Sequence, residues 1–142
     1  MKAMRSLVPK SGQKYYVVFD KMRGRNWWNF ILDKRFMHCF LLVRLSENKT
    51  LLINPLHFCI YNMILDSPLE KVLEEYLQTG VTSVLEFTVS IKRREKFRFR
   101  GIYTCVSFIK AVLNIRGRAL SPKRLHRYLL KLGAKEIKIR GD

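Results

Sequence analysis

The chain has 142 residues, of which 48% are hydrophobic, and its formal net charge is +17. This hydrophobic content suffices for the core of one ordinary domain and argues against disorder of the whole chain. No apolar run is long enough to cross a bilayer, so no membrane span is predicted. The charge concerns partners rather than the fold, and it suits nucleic acid, an anionic cell-wall polymer, an acidic membrane surface or an acidic protein.

A basic arm is predicted over residues 1–13, followed by a single domain over 14–142. The arm has no apolar stretch of signal-peptide length, so we expect synthesis and folding in a cytoplasm. The three cysteines are too few, and odd in number, for a disulfide framework. Cys39 and Cys59 stand in apolar runs and are predicted to be small buried hydrophobes.

Strands dominate the first half of the chain. β-branched and aromatic residues predict a strand over Lys14–Phe19, and a nearly continuous apolar run predicts a strand buried on both faces over His38–Leu45. Thr50–Asn54 returns beside the second strand and stops at Pro55. Two weaker patterns predict one or two helical turns over Asn26–Leu32 and a third short strand over 57–63.

Helices become frequent in the second half. Serine at Ser67 and the proline after it predict a capped helix that ends at Gly80. A second helix is predicted over Cys105–Asn114, and a third runs from Ser121 to Gly133. The remaining segments are a strand over Thr82–Ser90, a basic hairpin or loop over Lys92–Gly101, and a last strand over Lys135–Ile139.

This order of elements predicts an α+β domain in which helices pack on a mainly antiparallel sheet. The inner face of the third helix is predicted to consist of Leu125, Leu129 and Leu132. His126 lies among basic residues on the same helix and is predicted to face solvent. The Trp27–Trp28 pair is predicted to belong to the core rather than to a sugar-binding platform.

Cys105 has the surroundings of a nucleophile. It follows Thr104, a good helix cap, and so would occupy the first turn of a helix. The helix dipole and the free backbone N–H groups favour a thiolate at this position, and the same N–H groups can stabilise an oxyanion.

A base and a residue to orient it are also present. His38 opens a central strand, and Asn54 closes the antiparallel strand that follows it. A hairpin of this length places the start of one strand beside the end of the next, as a Cys-His-Asn arrangement requires. Taken singly, Cys105 could be a core cysteine, His38 a core histidine and Asn54 a turn residue.

Three stretches together resemble a known superfamily: Phe36-Met37-His38-Cys39-Phe40, Leu52-Ile53-Asn54-Pro55-Leu56 and Tyr103-Thr104-Cys105-Val106-Ser107-Phe108-Ile109-Lys110. Their order resembles that of circularly permuted papain-like hydrolases, which are related to the NlpC-type peptidoglycan peptidases and the lecithin-retinol acyltransferase group. In unpermuted members the cysteine helix comes first. The stretches also resemble small proteins encoded by tailed bacteriophages. The resemblance implies a papain-like fold with Cys105 as nucleophile, His38 as base and Asn54 as orienter, and it implies no cofactor.

Three functions are compatible with these observations. The first is a cysteine amidase or endopeptidase acting on peptidoglycan peptides, encoded by a phage. The second is a non-enzymatic virion or assembly component that retains the fold and contacts DNA or an acidic partner through its basic surface. The third is a nucleic-acid-binding protein whose basic segment grips phosphates and stacks bases; its candidate anion-binding residues are Lys92, Arg93, Arg94, Lys96, Arg98 and Arg100.

A zinc site is the competing interpretation of the histidines and cysteines. His38, Cys39, His57 and Cys59 supply suitable ligand types, but their spacing matches no common zinc-binding pattern. His38 and Cys39 are also adjacent on a strand, so their side chains are expected on opposite faces. No metal site is therefore predicted.

Overall fold

The computed structural model of the chain describes residues 12–21, 36, 38–56, 59–89, 104–115 and 117–138. Three sequence predictions lie outside these residues: nearly all of the N-terminal arm, the helical turns over Asn26–Leu32, and the basic segment over Lys92–Gly101.

The described residues form an antiparallel sheet and three helices, which confirms the α+β class. The strands are β1 (Lys14–Asp20), β2 (His38–Ser46), β3 (Lys49–Pro55), β4 (Ile60–Leu65), β5 (Ser83–Thr88) and β6 (Lys135–Glu136). The helices are α1 (Leu69–Gln78), α2 (Cys105–Val112) and α3 (Pro122–Lys131). The sheet order is β4-β3-β2-β1-β5-β6, and each neighbouring pair is antiparallel.

The central strands of the sheet are covered on both faces. Alternate residues of β1 and β2 point to opposite sides, so Val17 and Leu41 pack with α2 and α3 while Val18 and Leu42 pack with α1. The prediction that the second strand is buried on both faces is confirmed for residues 39–43, whereas residues 44–46 are exposed. The two central strands therefore have little freedom to change register, and the end of β2 at which the candidate site lies is held in place.

Helix α1 begins differently from the prediction. Pro68, rather than Ser67, is the N-cap residue, and no side chain caps the helix. The Ser67 carbonyl accepts a hydrogen bond of 2.9 Å from the buried Thr50 hydroxyl. The helix ends as predicted near Gly80, whose φ of 86° suits a glycine after a helix.

Helix α3 confirms two of its three predicted inner residues. Leu125 and Leu129 are fully buried, whereas Leu132 is 47% exposed, so the prediction for Leu132 is wrong. The helix ends at Lys131, and the backbone of Ala134 turns back to the Leu129 carbonyl at 3.0 Å. This reversal takes Leu132 out of the apolar stripe.

The contrast between the two leucines gives a stability prediction. Leu125→Ala is expected to lower the free energy of unfolding by about 2–5 kcal/mol, because it leaves a cavity between α3 and the sheet. Leu132→Ala is the matched control and should change it by no more than about 0.5 kcal/mol. Urea denaturation of both variants measures the difference, and equal effects would contradict this packing.

Other boundaries shift by a few residues. β4 begins at Ile60, later than predicted, because the Leu56 N–H donates to the Cys59 carbonyl and closes the connection from β3. In this connection Cys59 is exposed, so its predicted burial is wrong, whereas Cys39 is buried as predicted. None of the helices in the described ranges is long and apolar enough to cross a membrane.

Candidate active site

The first turn of α2 is fixed by a reciprocal cap. The Thr104 hydroxyl accepts from the Ser107 N–H at 3.0 Å, and the Thr104 N–H donates to the Ser107 hydroxyl at 2.8 Å. This capping box makes Cys105 the first residue of the helix and fixes where its side chain leaves the backbone. Buried residues farther along α2, such as Ile109 and Val112, anchor the helix on the sheet.

His38 and Asn54 are brought together by the β2–β3 hairpin. Leu41 pairs with Ile53 across the two strands, which places the first residue of β2 beside the last residues of β3. Asn54 Oδ1 accepts a hydrogen bond of 2.6 Å from His38 Nε2. Because Oδ1 is only an acceptor, Nε2 carries a proton, and Nδ1 is the ring nitrogen left to face Cys105.

Cys105 is half-buried where α2 meets the start of β2, and its surroundings stabilise a thiolate. The largest cause is a hydrogen bond from the Cys39 thiol. Burial opposes ionisation, but the hydrogen bond and positive charge of His38 and the backbone N–H of Cys39 outweigh it. Together these interactions lower the pKa of Cys105 to about 4.

The contacts with His38 that lower the pKa of Cys105 raise the pKa of His38. Burial by itself lowers the pKa of His38, but hydrogen bonds to Cys105 and Asn54, with the negative charges of Cys105 and Asp20, raise it above its ordinary value of 6.5. Asp20 lies opposite His38 in the β1–β2 pairing. A thiolate and an imidazolium therefore coexist between about pH 4 and a pH above 6.5.

Cys39 is a site residue that the sequence analysis missed. Its side chain is fully buried, and burial followed by the adjacent Cys105 thiolate raises its own pKa well above the usual range, so it remains a neutral donor. Because side chains alternate along a strand, Cys39 and His38 were expected on opposite faces of β2. The position of Cys105 at the end of the strand allows both to reach its sulfur. The one sequence feature that could have indicated this role is the position of Cys39 directly after His38.

Removing the Cys39 thiol should raise the pKa of Cys105. In Cys39→Ala the largest stabilising hydrogen bond is lost, while His38 and the backbone N–H of residue 39 remain. Alkylation of Cys105 at about pH 5 should therefore slow several-fold and its inflection should move to higher pH. Mass spectrometry of the alkylated protein measures both quantities, and Cys59→Ala is the matched control. An unchanged inflection would show that Cys39 does not stabilise the thiolate.

His126 does not face solvent, and that prediction is wrong. Its ring is half-buried and packs edge-on against Phe19 at 5.0 Å between centroids. Ser83 donates its hydroxyl proton to Glu136 at 3.1 Å, so His126 Nε2 donates to Ser83 Oγ at 3.0 Å. Burial lowers the pKa of His126, and the charge of Glu136 partly opposes this effect. These bonds tie α3 to β5 and β6.

The other predicted site features fall partly outside the described residues. This holds for the basic residues between Lys92 and Arg100, for the Trp27–Trp28 pair and for His57 of the zinc alternative. Within the described ranges, no group of three or more histidine, cysteine, aspartate or glutamate side chains is arranged to hold a metal ion.

Chemically, the arrangement provides a nucleophile, a proton carrier and an anion-binding helix end. The first N–H groups of a helix have no acceptor within that helix, so those of Cys105 and Val106 can donate to an oxygen that becomes negative when the adjacent sulfur attacks a carbonyl. His38 can then protonate a leaving group from Nδ1 while Asn54 holds Nε2.

No protein-family model, curated protein or solved structure matches this chain.

Proposed function

We propose that this protein is a cysteine hydrolase that cleaves an amide or peptide bond. The observation that supports the proposal most strongly is the continuous hydrogen-bonded series from Cys105 through His38 to Asn54, with 2.6 Å between His38 Nε2 and Asn54 Oδ1. Three residues from two strands and one helix converge here, and each has the chemistry that its role requires.

In the proposed reaction the Cys105 thiolate attacks the carbonyl carbon of the substrate. The backbone N–H groups at the start of α2 stabilise the resulting oxyanion. The His38 imidazolium then donates its proton to the leaving amine, and an acyl-enzyme remains on Cys105. A water molecule, deprotonated by His38, hydrolyses this thioester and restores the thiolate.

The proposed fold is the circularly permuted papain-like arrangement. It is supported by the chain order of histidine, asparagine and cysteine, and by a cysteine helix that packs its side against an antiparallel sheet. In this arrangement the strands that carry His38 and Asn54 precede α2.

The proposed substrate is a peptide of an anionic polymer, with peptidoglycan stem peptides as the first class to test. The support is electrostatic. The net charge is +17, and α3 exposes Arg124, Arg127 and Lys131. Between Thr104 and Lys135 the sequence contains several basic residues and no acidic residue. Since α2 packs against α3, this basic face adjoins the helix that carries the nucleophile. If a phage encodes the chain, it would act at entry, assembly or lysis.

The test is incubation of the folded protein with purified peptidoglycan, followed by mass spectrometry of the released fragments for new amino and carboxyl ends. Protein alkylated at Cys105 is the control. Fragments that appear only with the unmodified protein are expected. Absence of cleavage from peptidoglycan and from a library of amide substrates would contradict the proposed activity.

The same basic face favours a second candidate function, a virion or assembly component that binds DNA or an acidic partner without catalysis. Exposed arginine and lysine side chains neutralise phosphates and release counterions, so such binding would weaken steeply with added salt. Charge reversal at Arg124 and Arg127 should then remove DNA binding, while Cys105→Ser should leave it unchanged. DNA binding that is absent at low salt would exclude the DNA-binding form of this candidate.

A further inference from the structure

We propose that Cys39 and Cys105 form a reversible disulfide, and that this bond is produced when a hydroperoxide oxidises Cys105. The inference goes beyond the proposed hydrolysis: it needs the reactive sulfur at the start of α2 but neither the substrate nor the hydrolytic steps.

The side chains of Cys39 and Cys105 are neighbours at the start of α2. Cys39 lies in the core cluster against which Cys105 packs, and its thiol donates a hydrogen bond to the Cys105 sulfur. A disulfide joins sulfur atoms at about 2 Å, so they must approach from hydrogen-bonding distance. Cys105 is the first residue of α2, so the two sulfur atoms approach each other at the end of the helix rather than within it.

The two cysteines differ in their accessibility to a peroxide. Cys105 is half-buried, so a small peroxide can reach it, whereas Cys39 is fully buried and can react only with a neighbour. The thiolate is the form of cysteine that peroxides oxidise, and Cys105 holds it at neutral pH.

In the first step the Cys105 thiolate attacks the terminal oxygen of the peroxide and the O–O bond breaks. The sulfur is oxidised by two electrons to a sulfenic acid. The peroxide is reduced to an alcohol, or to water from hydrogen peroxide, and the leaving oxygen takes the His38 proton. In the second step the Cys39 sulfur attacks the Cys105 sulfur, the S–S bond forms, and the S–O bond breaks. The departing hydroxyl group leaves as water with the Cys39 proton.

The order of the steps follows from charge. Before oxidation, burial and the anionic Cys105 sulfur keep Cys39 protonated. The sulfenic acid is uncharged, so its formation removes the negative neighbour and leaves Cys39 easier to deprotonate. The disulfide then protects Cys105 from irreversible oxidation to a sulfinic acid and withholds the nucleophile until a thiol reduces the bond.

The experiment treats the full chain with stoichiometric hydrogen peroxide at neutral pH, blocks free thiols, and maps peptides by mass spectrometry without reduction. The expected product is a Cys39–Cys105 peptide pair with the loss of two hydrogens, a free Cys59, and full reversal by dithiothreitol. Cys59→Ser is the matched control and should give the same bond. Cys39→Ser should instead accumulate oxygen on Cys105.

The peptide map of the wild-type protein is sufficient to test the proposal, whether or not the Cys39→Ser variant folds. Oxygen added to Cys105 while Cys39 remains a free thiol would overturn the proposal, and so would a disulfide to Cys59 or thiols that resist excess peroxide. Failure of the hydrolase proposal would give a different result: the protein would form the disulfide with peroxide, but in its reduced form it would cleave no amide.

Discussion

Cys105→Ala is expected to reduce amide hydrolysis by several orders of magnitude and to leave the protein folded. The reacting sulfur is lost, whereas the cap formed by Thr104 and Ser107 and the apolar face of α2 are retained. Removing a nucleophile from a site of this type abolishes the covalent route, and only the weak contribution of binding and oxyanion stabilisation remains. The free energy of unfolding should change by no more than about 1 kcal/mol, because the side chain is small and half-buried.

Turnover and urea denaturation of the same preparation measure the two effects separately. Cys59→Ala is the control, since Cys59 is an exposed cysteine on the β3–β4 connection and should not matter for either quantity. Turnover by a folded Cys105→Ala protein at the wild-type rate would disprove the assignment of the nucleophile.

His38→Ala is expected to lower kcat/KM by about 10²–10⁴-fold, because the imidazole both stabilises the thiolate and carries the proton to the leaving group. Asn54→Ala should have a smaller effect, since the imidazole remains and loses only the acceptor at Nε2. The two variants therefore distinguish the proton carrier from the residue that orients it. Equal activity of His38→Ala and wild type would contradict the assignment.

The pH profile of the wild-type reaction should be bell-shaped. Activity rises as Cys105 ionises, with an acidic limb near its pKa of about 4, and falls as His38 loses its proton at a pH above 6.5. The hydrogen bond to Asn54 is one of the interactions that raise the pKa of His38, so Asn54→Ala should move the alkaline limb to lower pH. A purely structural role for Asn54 would leave that limb in place.

The sequence predicted local structure well where periodicity and end signals agree. The hairpin of β2 and β3 and the helix that begins at Cys105 follow from apolar runs, Pro55 and the Thr104 cap. The contact between His38 and Asn54 followed from the length of that hairpin alone. These features depend on residues close in the chain, which is why pattern reasoning reached them.

Features that depend on distant residues were missed. Cys39 contacts Cys105 because α2 returns to the start of β2, and no local pattern indicates that return. His126 is half-buried because Ser83 and Phe19 approach it from other strands, although its chain neighbours are basic. Cys59 was missed for a local reason instead: the Leu56 N–H donates to its carbonyl, and the exposed cysteine lies in the connection before β4.

Cys105 and His38 are proposed to act as a thiolate–imidazolium pair. Alkylation rates of Cys39, Cys59 and Cys105 in the folded protein, followed across pH by mass spectrometry, test it most directly. The expected result is a Cys105 rate that rises through an inflection near pH 4, exceeds that of exposed Cys59 under mildly acidic conditions, and falls there in His38→Ala. Buried Cys39 should react slowest. A Cys105 that reacts no faster than Cys59 at acidic pH, or that is indifferent to His38→Ala, would contradict the pair and the hydrolase proposal with it.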